Sequence, residues 1–218
     1  MTIDGPSGSG KSTVSRALAK RLGGKLIDTG AMYRSVAYFA LLEGCTNAQE
    51  YARVARGLKF RCHRNGLMLL VNGKDLGRKL RSERMSQMAS HVSQFRGVRS
   101  VLTAKQRRLG NTMQRRCPVV MEGRDIGTIV FPGADYKFFV TASHRVRAER
   151  RFLQLRKMGR VDISLRQTLE NIAKRDKRDT RRRVAPLRMA RDSILIDTSK
   201  VDVPGVINLM IGKIGIHI

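Results

Sequence analysis

The sequence predicts an α/β fold in which helices cover both faces of a largely parallel sheet. Short apolar segments, typical of buried strands, alternate along the chain with longer stretches of helical periodicity. A glycine-rich loop also separates the first apolar segment from the first helical one, as in parallel sheets that bind phosphates. The predicted strands lie near Thr2, Leu26, Val119, Tyr136 and Ile194.

The length and composition indicate a single folding unit. The chain has 218 residues, of which 41% are hydrophobic, enough for one domain with a core and a small insert. No apolar run approaches the roughly 20 residues that span a bilayer, and a catalytic motif stands where a targeting sequence would need an apolar stretch. We therefore expect a cytoplasmic protein. Cys45, Cys62 and Cys117 show no CxxC spacing, so we expect buried, reduced thiols.

The glycine-rich loop reads GPSGSGKS over residues 5–12 and matches the phosphate-binding pattern GxxxxGK[S/T]. Glycines let successive N–H groups curl around phosphate oxygens at a helix N-terminus. Lys11 would reach the β- and γ-phosphates, and the Ser12 hydroxyl would bind Mg²⁺. The loop makes the expected fold one of P-loop NTPase type. The residues expected to hold the donor phosphates are Gly5, Pro6, Ser7, Gly8, Ser9, Gly10, Lys11, Ser12 and Thr13.

A second strand, turn and helix are predicted in LIDTGAMYR, residues 26–34. Thr29 is expected to cap the helix, and Tyr33 and Arg34 to lie in its first turn. There a hydroxyl, a guanidinium and a helix N-terminus could meet one phosphate. A half-buried helix aromatic is the alternative for Tyr33.

The segment PVVMEGRDIGTIVFPGA, residues 118–134, predicts a buried parallel strand that ends in Glu122, Gly123, Arg124 and Asp125. Ligands of open α/β sheets lie beyond the carboxyl ends of the strands. A carboxylate there can hold the waters of Mg²⁺, and Arg124 beside Asp125 can bind an anion and a base amino group. A surface Arg–Asp pair is the alternative.

The charge balance is strongly positive, with 44 Lys and Arg against 17 Asp and Glu and a net charge of +27. Arginines recur in HRVRAERRFLQLRKMGR and KRDKRDTRRRVAPL. Guanidinium groups on a closing flap could neutralise crowded phosphates, while other arginines would be solvated helix faces. Such a charge attracts polyanions, whether nucleotides or nucleic acid.

These stretches, in this order and spacing, resemble the bacterial cytidylate kinases, a family of nucleoside monophosphate kinases. The similarity runs from TIDGPSGSGKST through DTGAMYR, EGRDIGTIVFP and RDKRDTRRRVAPL to ILIDTS. The segment from about residue 58 to residue 80 resembles the small β insert of the bacterial members, and it contains an Asn72–Gly73 hairpin signal.

The resemblance implies direct transfer of the γ-phosphoryl group of ATP, with Mg²⁺, to CMP or dCMP. It implies one P-loop kinase domain over residues 1–218, expected to be a monomer. Its core would comprise about residues 1–30, 116–145 and 186–218, its NMP-binding region with the insert about residues 31–115, and its mobile lid about residues 146–162.

The resemblance also assigns roles to individual residues. Lys11, Arg124 and Arg182 would be catalytic, and Ser12 and Glu122 would serve the metal, the latter in place of the Asp that members often carry. Thr29 and Tyr33 would line the CMP site, and Arg34, Arg124 and Arg182 would contact its phosphate. The cytosine would be read by Ser90, Arg99 and Asp125, and the sugar held by Arg175 and Asp179.

Two alternatives stay open at this point. One is another small P-loop kinase with a different acceptor, which would not depend on Ser90, Arg99 and Asp125. The other is a nucleic-acid-binding protein, favoured by the charge but not by the 5% of aromatic residues or by any RNA-recognition or zinc-finger motif. Nucleic-acid association is therefore compatible with the charge but is not expected to be the function.

Overall fold

The computed structural model describes residues 1–63, 65–159 and 163–215. The strands are β1 (Thr2–Asp4), β2 (Lys25–Asp28), β3 (Phe60–Cys62), β4 (Leu69–Val71), β5 (Val119–Glu122), β6 (Lys137–Thr141) and β7 (Ile194–Asp197). Five of them form the central sheet, all paired in parallel, in the spatial order β2-β5-β1-β6-β7. The five predicted strands are confirmed, with β6 beginning one residue after Tyr136.

Helices connect the strands and cover the sheet. They are α1 (Lys11–Arg21), α2 (Thr29–Leu42), α3 (Ala48–Gly57), α4 (Glu83–Val92), α5 (Arg96–Gln114), α6 (His144–Lys157), α7 (Leu165–Arg181) and α8 (Val203–Ile214). A 3₁₀ helix (Gly77–Leu80) and a π-helix (Ile126–Val130) complete the order. No helix among the described residues is both long and apolar enough to cross a membrane.

Two apolar clusters form the core. One contains Met32, Val98 and Leu102 and joins α2, α3, α4 and α5 to β2 and β5. The other contains Leu18, Phe138 and Met210 and joins α1 and α8 to the sheet. Strands β2 and β5 are therefore buried between two apolar layers, whereas the edge strand β7 keeps Leu195 exposed on one face.

The parallel register brings the ends of three strands to one edge of the sheet. Asp28 pairs with Glu122 at the ends of β2 and β5, and Ile3 of β1 is the register partner of Glu122 on its other side. Asp4, the last residue of β1, is therefore close to the same edge. This edge is where α/β sheets bind ligands.

The insert contains a two-stranded antiparallel sheet of β3 and β4. Asn72 and Gly73 do not join these two strands, because residues 63–68 make that connection and the Asn–Gly pair follows β4. Both residues have positive φ, 50° and 80°, and the flanking Val71 and Lys74 exchange backbone hydrogen bonds. The predicted tight turn is thus present, but it closes a single bridge instead of the hairpin.

Candidate active site

The loop between β1 and α1 folds closely against the neighbouring chain. A Cβ at Gly5 would lie 1.9 Å from the carbonyl oxygen of Val140, and one at Gly8 would lie 2.7 Å from that of Arg147. Gly5, Gly8 and Gly10 also have positive φ angles of 146°, 75° and 85°. Only glycine fits these positions, so the backbone amides curve into a cradle at the start of α1.

Lys11 is buried at the base of this loop, with 6% exposure. Its Nζ donates to the carbonyl of Pro6 at 2.5 Å and lies 3.3 Å from Ser9 Oγ. Burial, reinforced by the positive charge of Arg124, lowers the pKa of Lys11 well below its usual value. A nearby anion would restore its ionised form, so this lysine is electrostatically suited to a phosphate.

Glu122 is buried at the end of β5, and neither carboxylate oxygen has a hydrogen bond of good geometry. Burial, reinforced by the carboxylate of Asp28, raises its pKa to about 7, although the Ser12 hydroxyl is close enough to oppose this rise. Asp4 differs, because its two oxygens accept from the amides of Ile126 and Gly127 at 2.9 and 2.7 Å. Burial still raises the pKa of Asp4 to about 6. The sheet edge thus holds an unpartnered carboxyl group beside the loop lysine.

The start of α2 differs from the prediction. Asp28 is the N-cap and accepts from the amide of Ala31 at 2.8 Å, whereas Thr29 is the first helical residue. The expected cap at Thr29 is wrong, because its hydroxyl instead donates to the carbonyl of Glu122 at 2.6 Å. Tyr33 and Arg34 consequently lie in the second turn. Arg34 donates to Asp28 at 2.8 Å.

Asp125 is buried between two arginines. Arg99 of α5 donates to its Oδ2 in a short contact, and Nη2 of Arg182 lies 3.5 Å from its Oδ1. Arg99 also covers the ring of Tyr33, with 5.5 Å between the guanidinium carbon and the ring centroid. Burial raises the pKa of Tyr33 to about 12, so its hydroxyl stays protonated.

Asp179 of α7 is a second buried carboxylate with cationic neighbours. It accepts from Arg124 Nε at 3.1 Å and from Ser90 Oγ at 3.4 Å, and Arg175 Nε lies 4.0 Å away. Although burial opposes ionisation, Arg124, Arg175 and Arg182 hold the pKa of Asp179 below its usual value. The structure therefore brings Ser90, Arg99, Arg124, Asp125, Arg175, Asp179 and Arg182 into one network.

Arg175 links this network to the glycine-rich loop. Its Nη1 donates to Ser7 Oγ at 3.3 Å, while its buried Nε has no hydrogen-bond partner. Burial, together with Arg124, lowers the pKa of Arg175 to about 10. Arg182 is held differently, because its Nε donates at 2.6 Å to the carbonyl of Ala185, a residue with a left-handed φ of 50°.

The sequence did not reveal which residues stabilise the backbone of the glycine-rich loop. Arg147 of α6 is buried and donates to the carbonyls of Ser7 and Ala142, both at 3.0 Å. Asp176 of α7 pairs with Arg147 at 2.5 Å. No local pattern signals this role, because Ser7 and Asp176 lie 140 and 29 positions from Arg147 along the chain.

Thr198 was also missed, although it lies in the ILIDTS segment. Its Oγ1 lies 3.1 Å from the carbonyl oxygens of both Ser9 and Thr141 and shares its one proton between them, and Arg150 donates to the same Oγ1 at 2.8 Å. The end of β7 is thereby tied to the loop.

The expected lid, about residues 146–162, begins inside helix α6, and residues 160–162 lie outside the described part of the chain. Arg147 is fixed by its buried contacts, as described above. Arg151 pairs with Glu83 of α4 at 2.7 Å. Movement of the segment stays a prediction.

The chain is similar to known proteins over its whole length. A family model described as cytidylate kinase matches residues 1–215. A relative named cytidylate kinase from Methylococcus capsulatus is 41% identical, and the match covers 100% of this chain and 97% of that protein. Relatives of the same name are 41% identical in Geobacter sp. strain M21, with 96% and 90% covered, and 40% identical in Pseudomonas syringae pv. tomato, with 100% and 95% covered. The resemblance read from the motifs is confirmed.

Proposed function

The chain belongs to the cytidylate kinase family, and on that premise we propose that it transfers the γ-phosphoryl group of ATP to CMP or dCMP. The observation that carries the proposal is the contact of Arg175 with both halves of the site. Arg175 reaches Ser7 in the phosphate loop and approaches Asp179 in the arginine–carboxylate network. Donor and acceptor groups would therefore meet at one arginine, as direct phosphoryl transfer requires.

On the donor side, the loop amides from Gly5 to Thr13 would bind the phosphates of ATP. Lys11 would turn from the Pro6 carbonyl toward the β- and γ-phosphates and become fully ionised against their charge. Arg147 and Asp176 act through the loop and not on the nucleotide, so we class them as positioning residues.

The residues at the sheet edge fit a magnesium ion that arrives with ATP. Among the described residues no cluster of three or more His, Cys, Asp or Glu could hold a metal alone, so nucleotide oxygens and water must complete the shell. Ser12 would be a direct ligand, and Glu122, with two unpartnered buried oxygens, would accept from the metal's waters. The ion would supply charge neutralisation between the phosphates.

On the acceptor side, Arg34, Arg124 and Arg182 would contact the phosphate of CMP, with Thr29 and Tyr33 lining the site. Ser90, Arg99 and Asp125 would read the cytosine edge, since a carboxylate can accept from its amino group. Arg175 and Asp179 would hold the sugar. The network holds four arginines and two carboxylates, so the phosphate of CMP would add negative charge where positive charge is in excess.

The reaction needs no general base in this arrangement. The acceptor phosphate is already ionised near neutral pH, so it can attack the γ-phosphorus directly. Lys11, Arg124 and Arg182 would then stabilise charge on the transferred group. We further propose a monomeric, cytoplasmic enzyme with the core, NMP-binding region and lid boundaries given above.

The test is a coupled assay of ADP formation from Mg²⁺-ATP. CMP, dCMP, UMP, AMP, GMP and shikimate are supplied separately, beside a reaction without acceptor. Turnover restricted to CMP and dCMP is expected. Preference for shikimate or a purine nucleotide would refute the acceptor assignment. An equal rate of ADP formation with and without acceptor would refute the assignment as a kinase.

A further inference from the structure

A groove lies on the outer side of α4 and α7, separate from the candidate active site. It is lined by Leu41, Arg84, Gln87, Met88, His91 and Arg178. Neighbouring residues on the same two helices, Ser90 and Asp179, contact each other within the active-site network. The two helices thus present one side to the reaction centre and another to this groove.

The lining of the groove is cationic and contains no carboxylate. Arg84 and His91 are exposed at its rim, and Leu41 and Met88 provide apolar surface. Arg178 joins the two helices, because its Nη1 lies 3.4 Å from the carbonyl of Gln87. An anionic ligand with apolar parts matches this lining.

The positive surface continues beyond the groove along α7. At about 100° per residue, Lys174, Lys177, Arg178 and Arg181 fall within one arc of about 100°. Over this stretch the helix rises about 10 Å. The row is about as long as the stretch of α4 from Arg84 to His91 that lines the groove, and it favours a polymer with repeated charges.

The carboxylates of α7 do not balance this row. Asp176 faces Arg147, and Asp179 faces Arg124, so both are used inside the fold. Glu170 pairs with Arg166 at 3.4 Å near the start of the helix. The solvent side from Lys174 to Arg181 is left with an excess of positive charge.

We propose that the groove between α4 and α7, with the adjoining basic row, binds a single-stranded polynucleotide. Its phosphates would contact Arg84, Lys177 and Arg181, and its bases would lie over Leu41 and Met88. Because the groove itself offers no Phe, Tyr or Trp to stack on, binding would depend mainly on the phosphates and little on base sequence. The net charge of +27 would strengthen the attraction but would not by itself choose this place.

The experiment measures fluorescence anisotropy of a labelled oligouridylate of about 15 nucleotides over a KCl series. The test variant carries Arg84→Gln, Lys177→Gln and Arg181→Gln. The control variant carries Lys20→Gln, Arg21→Gln and Lys213→Gln, which removes the same charge near the ends of α1 and α8. None of the six residues belongs to the proposed catalytic machinery, so CMP kinase activity should match the wild type and report correct folding. The two variants should unfold at the same temperature as each other, because both lose three positive charges.

The test variant should bind about tenfold more weakly at about 150 mM KCl, with a salt slope shallower by about 2. The control variant should bind within about twofold of the wild type. Equal weakening of the two variants would refute the groove and leave only net charge. Absence of oligouridylate binding, or preference for anionic phosphatidylglycerol vesicles or duplex RNA, would overturn the single-stranded assignment. These results are independent of the acceptor assay, so either proposal can fail alone.

Discussion

Glu122 illustrates how burial changes the chemistry of one side chain. Its pKa rises from 4.5 to about 7, so the folded protein retains a proton that the unfolded chain releases between about pH 4.5 and 7. This residue's contribution to stability is therefore present at low pH and is lost as the pH rises through that interval.

Glu122→Gln should remove this loss. Relative to wild type, the free energy of unfolding of the nucleotide-free variant should increase as the pH rises from about 5 to about 8. Urea unfolding at several pH values measures the difference. If the free energies of unfolding of the variant and the wild type instead differed by the same amount at every pH, Glu122 would have a normal pKa in the folded state.

Lys11 is the residue on which transfer is expected to depend most. Lys11→Ala should lower kcat by about a thousandfold or more, because a transition-state charge loses its cation. Binding of CMP, measured by calorimetry, should change less than about threefold, since the lysine faces the donor. Near-normal turnover would contradict the phosphate-loop assignment.

At the residue scale, the sequence predicted the phosphate loop because its chemistry is local and each position has a separate physical reason. The partners of Asp125 and Asp179 were not predictable from spacing. Arg99 lies 26 positions from Asp125 and Ser90 lies 89 positions from Asp179. Only the resemblance grouped these residues before the structure brought them together.

At the scale of elements, α6 and α7 support the phosphate loop through one ion pair. Asp176→Asn should leave Arg147 buried without its counter-charge and lower stability by about 3 kcal/mol. Because Arg147 also bonds to the Ser7 carbonyl, the KM for ATP should rise severalfold while the KM for CMP changes little.

The matched control is Glu149→Gln, which removes an exposed α6 carboxylate paired with Arg145. This surface pair should contribute less than about 1 kcal/mol. If Asp176→Asn altered both substrates equally, its effect would be general destabilisation and not support of the loop.

Element boundaries show where local patterns were insufficient. Thr29 and Asp28 are both good capping residues, and only the register of β2 with β5 decides between them, since it places the Thr29 hydroxyl on the Glu122 carbonyl. The Asn72–Gly73 turn was predicted from its dihedral preferences. That residues 63–68, and not this turn, connect β3 to β4 was not predictable, because those residues carry no equally strong turn signal.

At the scale of the whole molecule, the net charge of +27 opposes folding through repulsion between like charges. Raising KCl from about 20 mM to about 300 mM should screen this repulsion and raise Tm by several degrees. Differential scanning calorimetry checks it, with a non-electrolyte osmolyte at equal osmolality as control. A falling Tm would mean that the ion pairs of the fold outweigh the net repulsion.

The overall architecture was predictable because alternating strands and helices leave few parallel topologies, and right-handed crossovers place the loops at one edge. The strand order and the division of the core into two layers were not. They depend on which helix face meets which side of the sheet, and the weakly amphipathic α1 does not specify this by sequence alone.

Asp125 sits between Arg99 and Arg182, which has a consequence for evolution. A lineage that loses this carboxylate alone passes through a protein in which Arg99 and Arg182 stay buried with Asp179 as their nearest remaining carboxylate, a costly intermediate. Substitutions at positions 99, 125 and 182 are therefore expected to be correlated among related proteins. An arginine should be lost before the aspartate or together with it. A change of acceptor specificity would follow such a compensated path more readily than a single replacement.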